Sequence, residues 1–174
     1  MSVRGPWLAR LLQHWGSAHY PSVPACVWMA VLLGALAWLD HAGGGVFLVP
    51  PFAATLTILI YLPQVPIAQP LAVVCGSVAG AALGTGLSMM LGFGPGVALL
   101  AALAAMIALP LLRVFHPPGI ALAMYPALLH PGPLFALDVV LPFTLAAVIS
   151  AALLSRWLPG FPRYPRPPRS VESR

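Results

Sequence analysis

The chain has 174 residues, of which 60% are hydrophobic and 6% charged, against roughly 25% charged in soluble domains. That composition excludes a water-soluble globule and predicts a polytopic membrane protein with one membrane domain. The net charge of +5 comes from arginine alone, since the sequence holds no lysine. Most of the arginines gather at the two chain ends, not in a basic stripe interleaved with aromatics, so nucleic acid is not an expected partner and the lipid bilayer is.

Residues 1–22 form an amphipathic N-terminal segment. Trp7, Leu8, Leu11, Leu12 and Trp15 recur at helical spacing and suggest a short interfacial helix. Arg4 and Arg10 precede an apolar run that ends near Ala35-Leu36-Ala37, but the mixed stretch before it is long for a signal peptide, so cleavage is not expected. The membrane domain covers 23–154. Its first apolar run, Val23–Leu39, spans if slightly extended, and Asp40-His41-Ala42-Gly43-Gly44-Gly45 makes a polar, flexible turn. Val46–Leu62 follows with Pro50-Pro51 inside it, then a proline-rich turn from Pro63 to Pro70, then Leu71–Leu91, closed by Gly92-Phe93-Gly94-Pro95. Gly96–Phe115 carries Pro110 and Arg113; His116–Leu129 opens with Pro117-Pro118; His130-Pro131-Gly132-Pro133 turns into the last run, Leu134–Leu154. Residues 155–174 are rich in Pro and Arg and predict a disordered tail or one lying on the headgroups. Cys26 and Cys75 lie in apolar runs without metal-ligand spacing and read as small buried hydrophobes.

The two diprolines organise the chain. Proline removes a backbone donor and clashes with the preceding turn, and in a bilayer every freed polar group must be satisfied by protein or by a water-lined cavity. Dividing the chain after residue 92 leaves two halves, each a span, a Pro-Pro segment and a span. Phe47-Leu48-Val49-Pro50-Pro51-Phe52-Ala53-Ala54 aligns with Val114-Phe115-His116-Pro117-Pro118-Gly119-Ile120-Ala121. Interrupted apolar segments at matching places in two halves point to a transport site. Arginine at both ends places both termini in the cytoplasm of a multi-pass inner-membrane protein, which requires an even number of crossings. Six satisfy it if both Pro-Pro segments cross, and four if both are re-entrant. His116–Leu129 is about 21 Å long as helix, short of a ~30 Å core. The expected architecture is therefore all-α: four full transmembrane helices plus two Pro-Pro-broken or re-entrant helical segments, as an internal repeat.

Gly76, Gly80, Gly84, Ser88 and Gly92 recur every four residues. A stripe of this kind lets another helix approach backbone to backbone, as in a glycine zipper; it could also line a pore.

A helix that starts at Pro117 has proline where proline suits it and His116 near its N-cap. Free N–H groups are then expected at Gly119 and Ile120, and at Phe52 and Ala53 in the first half. Each helix N-terminus carries about half a positive charge and attracts anions, so two of them meeting near the midplane would make an electropositive constriction. His116 has two readings: it caps or bridges the broken backbone, or it contacts solute and handles protons. Arg113 either snorkels to the interface or faces the cavity. Asp138, an intramembrane acid, is expected to face inward and pair with Arg113 or His116. Thr55, Thr57 and Gln69 could line the path. Asp40 and His41 mark a membrane boundary, and His130 reads as loop. No catalytic constellation, metal-ligand cluster or phosphate-cradling loop is present, so neither an enzyme nor a cofactor is expected.

Gly45-Val46-Phe47-Leu48-Val49-Pro50-Pro51-Phe52-Ala53-Ala54, then Pro66-Ile67-Ala68-Gln69-Pro70, then His116-Pro117-Pro118 resemble, in order and spacing, the HPP family of integral membrane proteins. The resemblance covers about Asp40 to Arg156. It implies four transmembrane helices and a transport role, and a plant and cyanobacterial branch is linked to nitrite. The chain departs from the family pattern at Gly119-Ile120-Ala121, where members often have Ala-Gly-Ala, and at Leu71-Ala72, where many have Arg-Asn. The second departure removes a polar pair that could contact an anion. The expected function is a small-solute permease or channel, for a small anion such as nitrite. The alternative is a non-transporting membrane scaffold or sensor subunit. With so few helices to surround a pore, a homo-oligomer held by the glycine stripe or the last span is expected.

Overall fold

The computed structural model describes residues 20–43 and 45–166. The expected interfacial helix at the N-terminus lies outside them, apart from its last residues. Among the described residues the protein is all-helical, with six α-helices: α1 Val23–Gly43, α2 Pro50–Tyr61, α3 Pro70–Leu91, α4 Pro95–Leu111, α5 Pro117–Leu129 and α6 Leu141–Trp157. A single 3-10 turn, Pro66–Ala68, precedes α3, and a π-helical turn, Ala136–Val140, leads into α6.

Three helical stretches are long and apolar enough to cross a membrane: Val23–Gly43, Pro70–Leu91 and Ala136–Trp157. The run expected as a fourth full span is a shorter helix, α4, of 17 residues. It stops at Leu111, shortly before Arg113 takes a positive φ of 58° that an α-helix cannot continue through, so the last residues of that run unwind. α1 runs further than expected, to Gly43, so Asp40 and His41 are helical, not part of a turn.

Every helix from α2 to α5 begins on proline, whose missing N–H costs nothing in the first turn. This keeps the starts of these helices sharply bounded. The non-helical pieces between them satisfy their backbone locally. Asp40 Oδ1 accepts from the N–H of Phe47 at 2.7 Å and of Leu48 at 3.3 Å, and Val49 N–H donates to Phe47 O. After α4, the N–H groups of Leu112, Arg113 and Val114 donate to Ala108, Pro110 and Leu109 carbonyls. These bonds satisfy part of the backbone that each break frees, as a bilayer interior demands.

The core has two parts. The larger joins α1, α2, α3 and α6 around Phe52, Leu56, Val73, Val140, Phe143 and Ala147. The smaller joins α4 to α5 around Ala101, Ala105, Leu109 and Ala123. Both ends of the bundle are defined by contact. The start of α1, the end of α2 and the segment after α6 meet around Ser22, Tyr61 and Gly160. At the opposite end, Gly43 meets Pro131–Phe135 and Asp138, and Gly94 N–H donates to Ala127 O.

Two expectations about the periphery change. Cys26 and Cys75 are exposed, because they fall on outward faces of α1 and α3. The described part of the tail is packed. α6 continues to Trp157, and beyond it Phe161 and Tyr164 are 7% and 3% exposed. Phe161 packs edge-on against Trp28 at 5.5 Å, and Ser155 Oγ donates to Tyr164 O at 2.6 Å. Aromatic side chains among the prolines give this stretch something to bury.

Candidate functional site

α5 lies parallel to α3 along the glycine stripe. A Cβ built on Gly76 would collide with Val114 O, one on Gly80 with Gly119 O, and one on Gly84 with Ala123 O. Reciprocally, a Cβ on Gly119 would lie 2.5 Å from Gly76 O. Small residues here let two backbones touch, and this close approach seats the start of α5. The stripe ends at Gly84. Ser88 is buried and donates to Gly84 O at 2.8 Å. Gly92 is the C-cap of α3 at φ 87° with open space around it.

At the start of α5, Pro117 and Pro118 fill the first turn and His116 occupies the N-cap in extended conformation, its side chain making no cap bond. The ring is 0% exposed. Nδ1 lies 2.8 Å from Ile67 O and Nε2 lies 3.0 Å from Thr55 Oγ1. The Ile67 carbonyl only accepts, so Nδ1 carries a proton. His116 therefore ties three pieces together: α2 through Thr55, the 3-10 turn through Ile67, and α5 through its own backbone. Thr55, also 0% exposed, has a second partner, Pro51 O at 3.1 Å.

The expected free N–H groups are not free at Gly119 and Phe52. Gly119 N–H donates to His116 O at 2.8 Å and Phe52 N–H to Val49 O at 2.9 Å. Each break closes with a tight turn onto its own N-cap carbonyl. Nor do the two helix starts face one another. Thr55, five residues into α2, meets the start of α5, so the two helices overlap instead of meeting end to end. An open groove of about 560 Å³ runs between them, lined by Pro50, Pro51, Ala54, Pro117, Pro118 and Tyr125, and its lining is almost wholly apolar.

The remaining expected site residues fall elsewhere. Gln69 is the N-cap of α3; its Nε2 donates to Val65 O at 3.1 Å and Pro63 O at 3.3 Å, so it braces the turn that presents Ile67. Arg113 is exposed at the α4–α5 tip. Asp138 is exposed on the π-turn at the opposite end of the bundle, so its expected pairing with Arg113 or His116 does not form; the bulged turn points it outward. Ile120 and Ala53 are half-buried beside their prolines. Thr57 is exposed and donates to Ala53 O.

One contributor was missed from sequence: Ile67, because it acts through a backbone carbonyl. Ser77, next to Gly76, is fully buried with no hydrogen-bond partner for its hydroxyl among the described residues. No group of three or more His, Cys, Asp or Glu that could hold a metal occurs among the described residues.

No curated protein and no solved structure matches the chain. The family model for the HPP transmembrane region matches residues 17–165, which takes in the glycine stripe, both diprolines and the tied histidine. The chain belongs to the HPP family of transmembrane proteins.

Proposed function

We propose that this protein is a small-solute permease built from two inverted three-helix halves, with His116 at the point where the halves join. The observation that carries the reading is the placement of His116: a fully buried titratable ring held by Thr55 of the first half and Ile67 of the turn before α3. Ionisable groups at membrane depth are costly and tend to be functional.

Positions 67 residues apart support the two-half organisation. Val49 and His116 are both extended N-caps of Pro-Pro helices. The bond from Phe52 N–H to Val49 O has its counterpart from Gly119 N–H to His116 O. The stack of Phe52 on Phe143 has its counterpart in the contact of Gly119 with Gly76. α2, at 12 residues, is about 18 Å long, and the extended residues before it supply most of the remaining ~30 Å core. Six alternating helices then put both termini on one side, together with Arg113, Arg156, Arg163 and Arg166, while Asp40 and Asp138 lie at the other end. The arginine side is the cytoplasmic one.

A small anion such as nitrite is the solute that the family resemblance suggests. At the two helix N-termini the Phe52 and Gly119 donors are occupied and so unavailable to it. The scaffold or sensor reading is favoured by the apolar lining of the groove. A homo-oligomer remains part of the proposal, but Gly76, Gly80 and Gly84 are used against α5, which leaves the outward face of α6, with Leu145, Ile149 and Leu153, as its seam.

The test is flux in proteoliposomes of nitrite, chloride and a neutral solute, for wild type and His116→Ala. Selective flux lost in the variant supports the reading. Absence of flux by folded wild type overturns it in favour of the scaffold.

A further inference from the structure

The Thr55 hydroxyl has one hydrogen and two acceptors within reach, His116 Nε2 at 3.0 Å and Pro51 O at 3.1 Å. With Nδ1–H committed to Ile67 O, the neutral ring presents a bare Nε2, and the hydroxyl must turn to it. When Nε2 gains a proton, it donates to Thr55 Oγ1, and the hydroxyl hydrogen turns to Pro51 O. Every polar atom of the set keeps a partner in both forms, and only one O–H bond rotates. The hydrogen bonds around His116 can therefore accommodate a proton on Nε2 by reorienting one hydroxyl.

We infer that His116 and Thr55 form a proton-loading pair that couples the movement of a small monovalent anion to that of one proton, in the same direction and without net charge transfer. The inference rests on the permease reading above. An uncompensated cation in a dry interior is costly, and no carboxylate compensates this one. Among the described residues, α2 meets His116 with Thr55, the 3-10 turn with the Ile67 carbonyl, and α3 with Gly76, none of them titratable. The titratable neighbours along its own chain are Arg113, exposed at the tip, and Tyr125, two turns on in the groove.

An entering anion supplies the missing counter-charge, so proton and anion stabilise one another and travel together. The imidazolium adds a full positive charge where the Phe52 and Gly119 donors are spent on their own caps. The groove lined by Pro51, Pro117 and Pro118 runs beside the pair, whose own side chains are 0% exposed, and is the route of approach that the proposal requires to open. The proton comes from water at one face, rides on Nε2, and is returned to water at the other.

The test uses the full chain in vesicles with a lumenal pH dye, the membrane potential clamped, and nitrate, nitrite or chloride as probe, against protein-free vesicles. Expected for wild type is anion entry that acidifies the lumen, ignores the clamp setting, and accumulates the anion about tenfold per unit of imposed pH gradient. His116→Gln abolishes acidification. Thr55→Val abolishes it too and Thr55→Ser restores it. Wild-type flux that follows the clamped potential and leaves lumenal pH unchanged overturns the coupling while leaving the permease intact. Absence of all flux overturns both. Nitrogen-15 spectra of His116 in bilayers give a readout that needs no transport: the proposal requires the Nδ1–H tautomer in the neutral ring, and the Nε2–H tautomer overturns it.

Discussion

Phe52 of α2 stacks on Phe143 of α6 with ring centroids 3.9 Å apart and planes 21° from parallel, whereas Gly119 of α5 meets Gly76 of α3 with no side chain between them. These are corresponding seams of the two proposed halves, filled in opposite ways. Backbone-to-backbone contact leaves no soft atoms to rearrange, so α3 and α5 behave as one block. The aromatic seam is made of side chains that can repack, so it is the more compliant of the two. The seams therefore predict different responses to substitution.

Gly80→Ala drives a methyl into Gly119 O, a backbone atom that cannot swing aside. The helices must separate, at a cost of about 2–3 kcal/mol by analogy with overpacked cores. Gly86→Ala, six residues along the same helix, meets nothing within 4 Å and should be neutral or stabilising by up to about 1 kcal/mol through helix propensity. Thermal unfolding in detergent compares the two. Equal effects would mean that the α3–α5 contact is looser than described.

Phe143→Ala empties the opposite seam. In lipid the transfer contribution to burial largely disappears and lost packing remains, so we expect a cost of about 2 kcal/mol, below the 3–5 kcal/mol typical of soluble cores. The same variant loosens α2 and should raise the reactivity of a probe cysteine at Thr57, an exposed position on that helix. An unchanged labelling rate would place the compliant seam elsewhere.

Much of this was legible in the sequence, and what was not has identifiable reasons. Apolar runs and proline punctuation located every described helix, because a bilayer permits few alternatives. The every-fourth glycines announced a close seam but not its partner, since a stripe of small residues says nothing about what lies on it. The N-cap place of His116 followed from Pro117-Pro118. Its partners did not, because one is the carbonyl of Ile67, and any residue carries a carbonyl. The inward placement expected of Asp138 failed because five residues of π-helix rotate the chain in a way that residue spacing does not encode. The free donors expected at Phe52 and Gly119 failed because a chain that enters a helix in extended conformation can turn its N-cap carbonyl back onto them.

Tyr164 predicts an alkaline limit for the docked tail. Its hydroxyl is buried without a partner among the described residues, and burial raises its pKa above the ordinary value of 10.0. The folded form therefore holds the proton where the undocked form has lost it. The tail's stability is fully present below pH 10 and declines as pH rises beyond it. Tyr164→Phe removes the unpaired hydroxyl, should stabilise by about 1 kcal/mol, and abolishes the decline. Detergent unfolding of both proteins from pH 8 to 11 checks it: a difference that stays constant across that range would refute the burial argument.

The crossing number can be read by chemistry at two positions. Six alternating helices place Arg113, at the α4–α5 tip, on the same side as Arg166, and Gly132, between α5 and α6, on the other. A re-entrant α4–α5 hairpin would instead leave the tip inside the bilayer. With Cys26 and Cys75 replaced by serine, Arg113→Cys and Arg166→Cys should react with a membrane-impermeant maleimide from the cytoplasmic face alone, and Gly132→Cys from the opposite face alone. The arginine asymmetry makes this orientation the stable one, because cationic residues are retained on the cytoplasmic side and gain about 1 kcal/mol each near its anionic lipids. A cysteine at 113 that reacts from neither side would return the architecture to four crossings. One that reacts from the face that labels 132 would break the alternation on which the inverted halves depend.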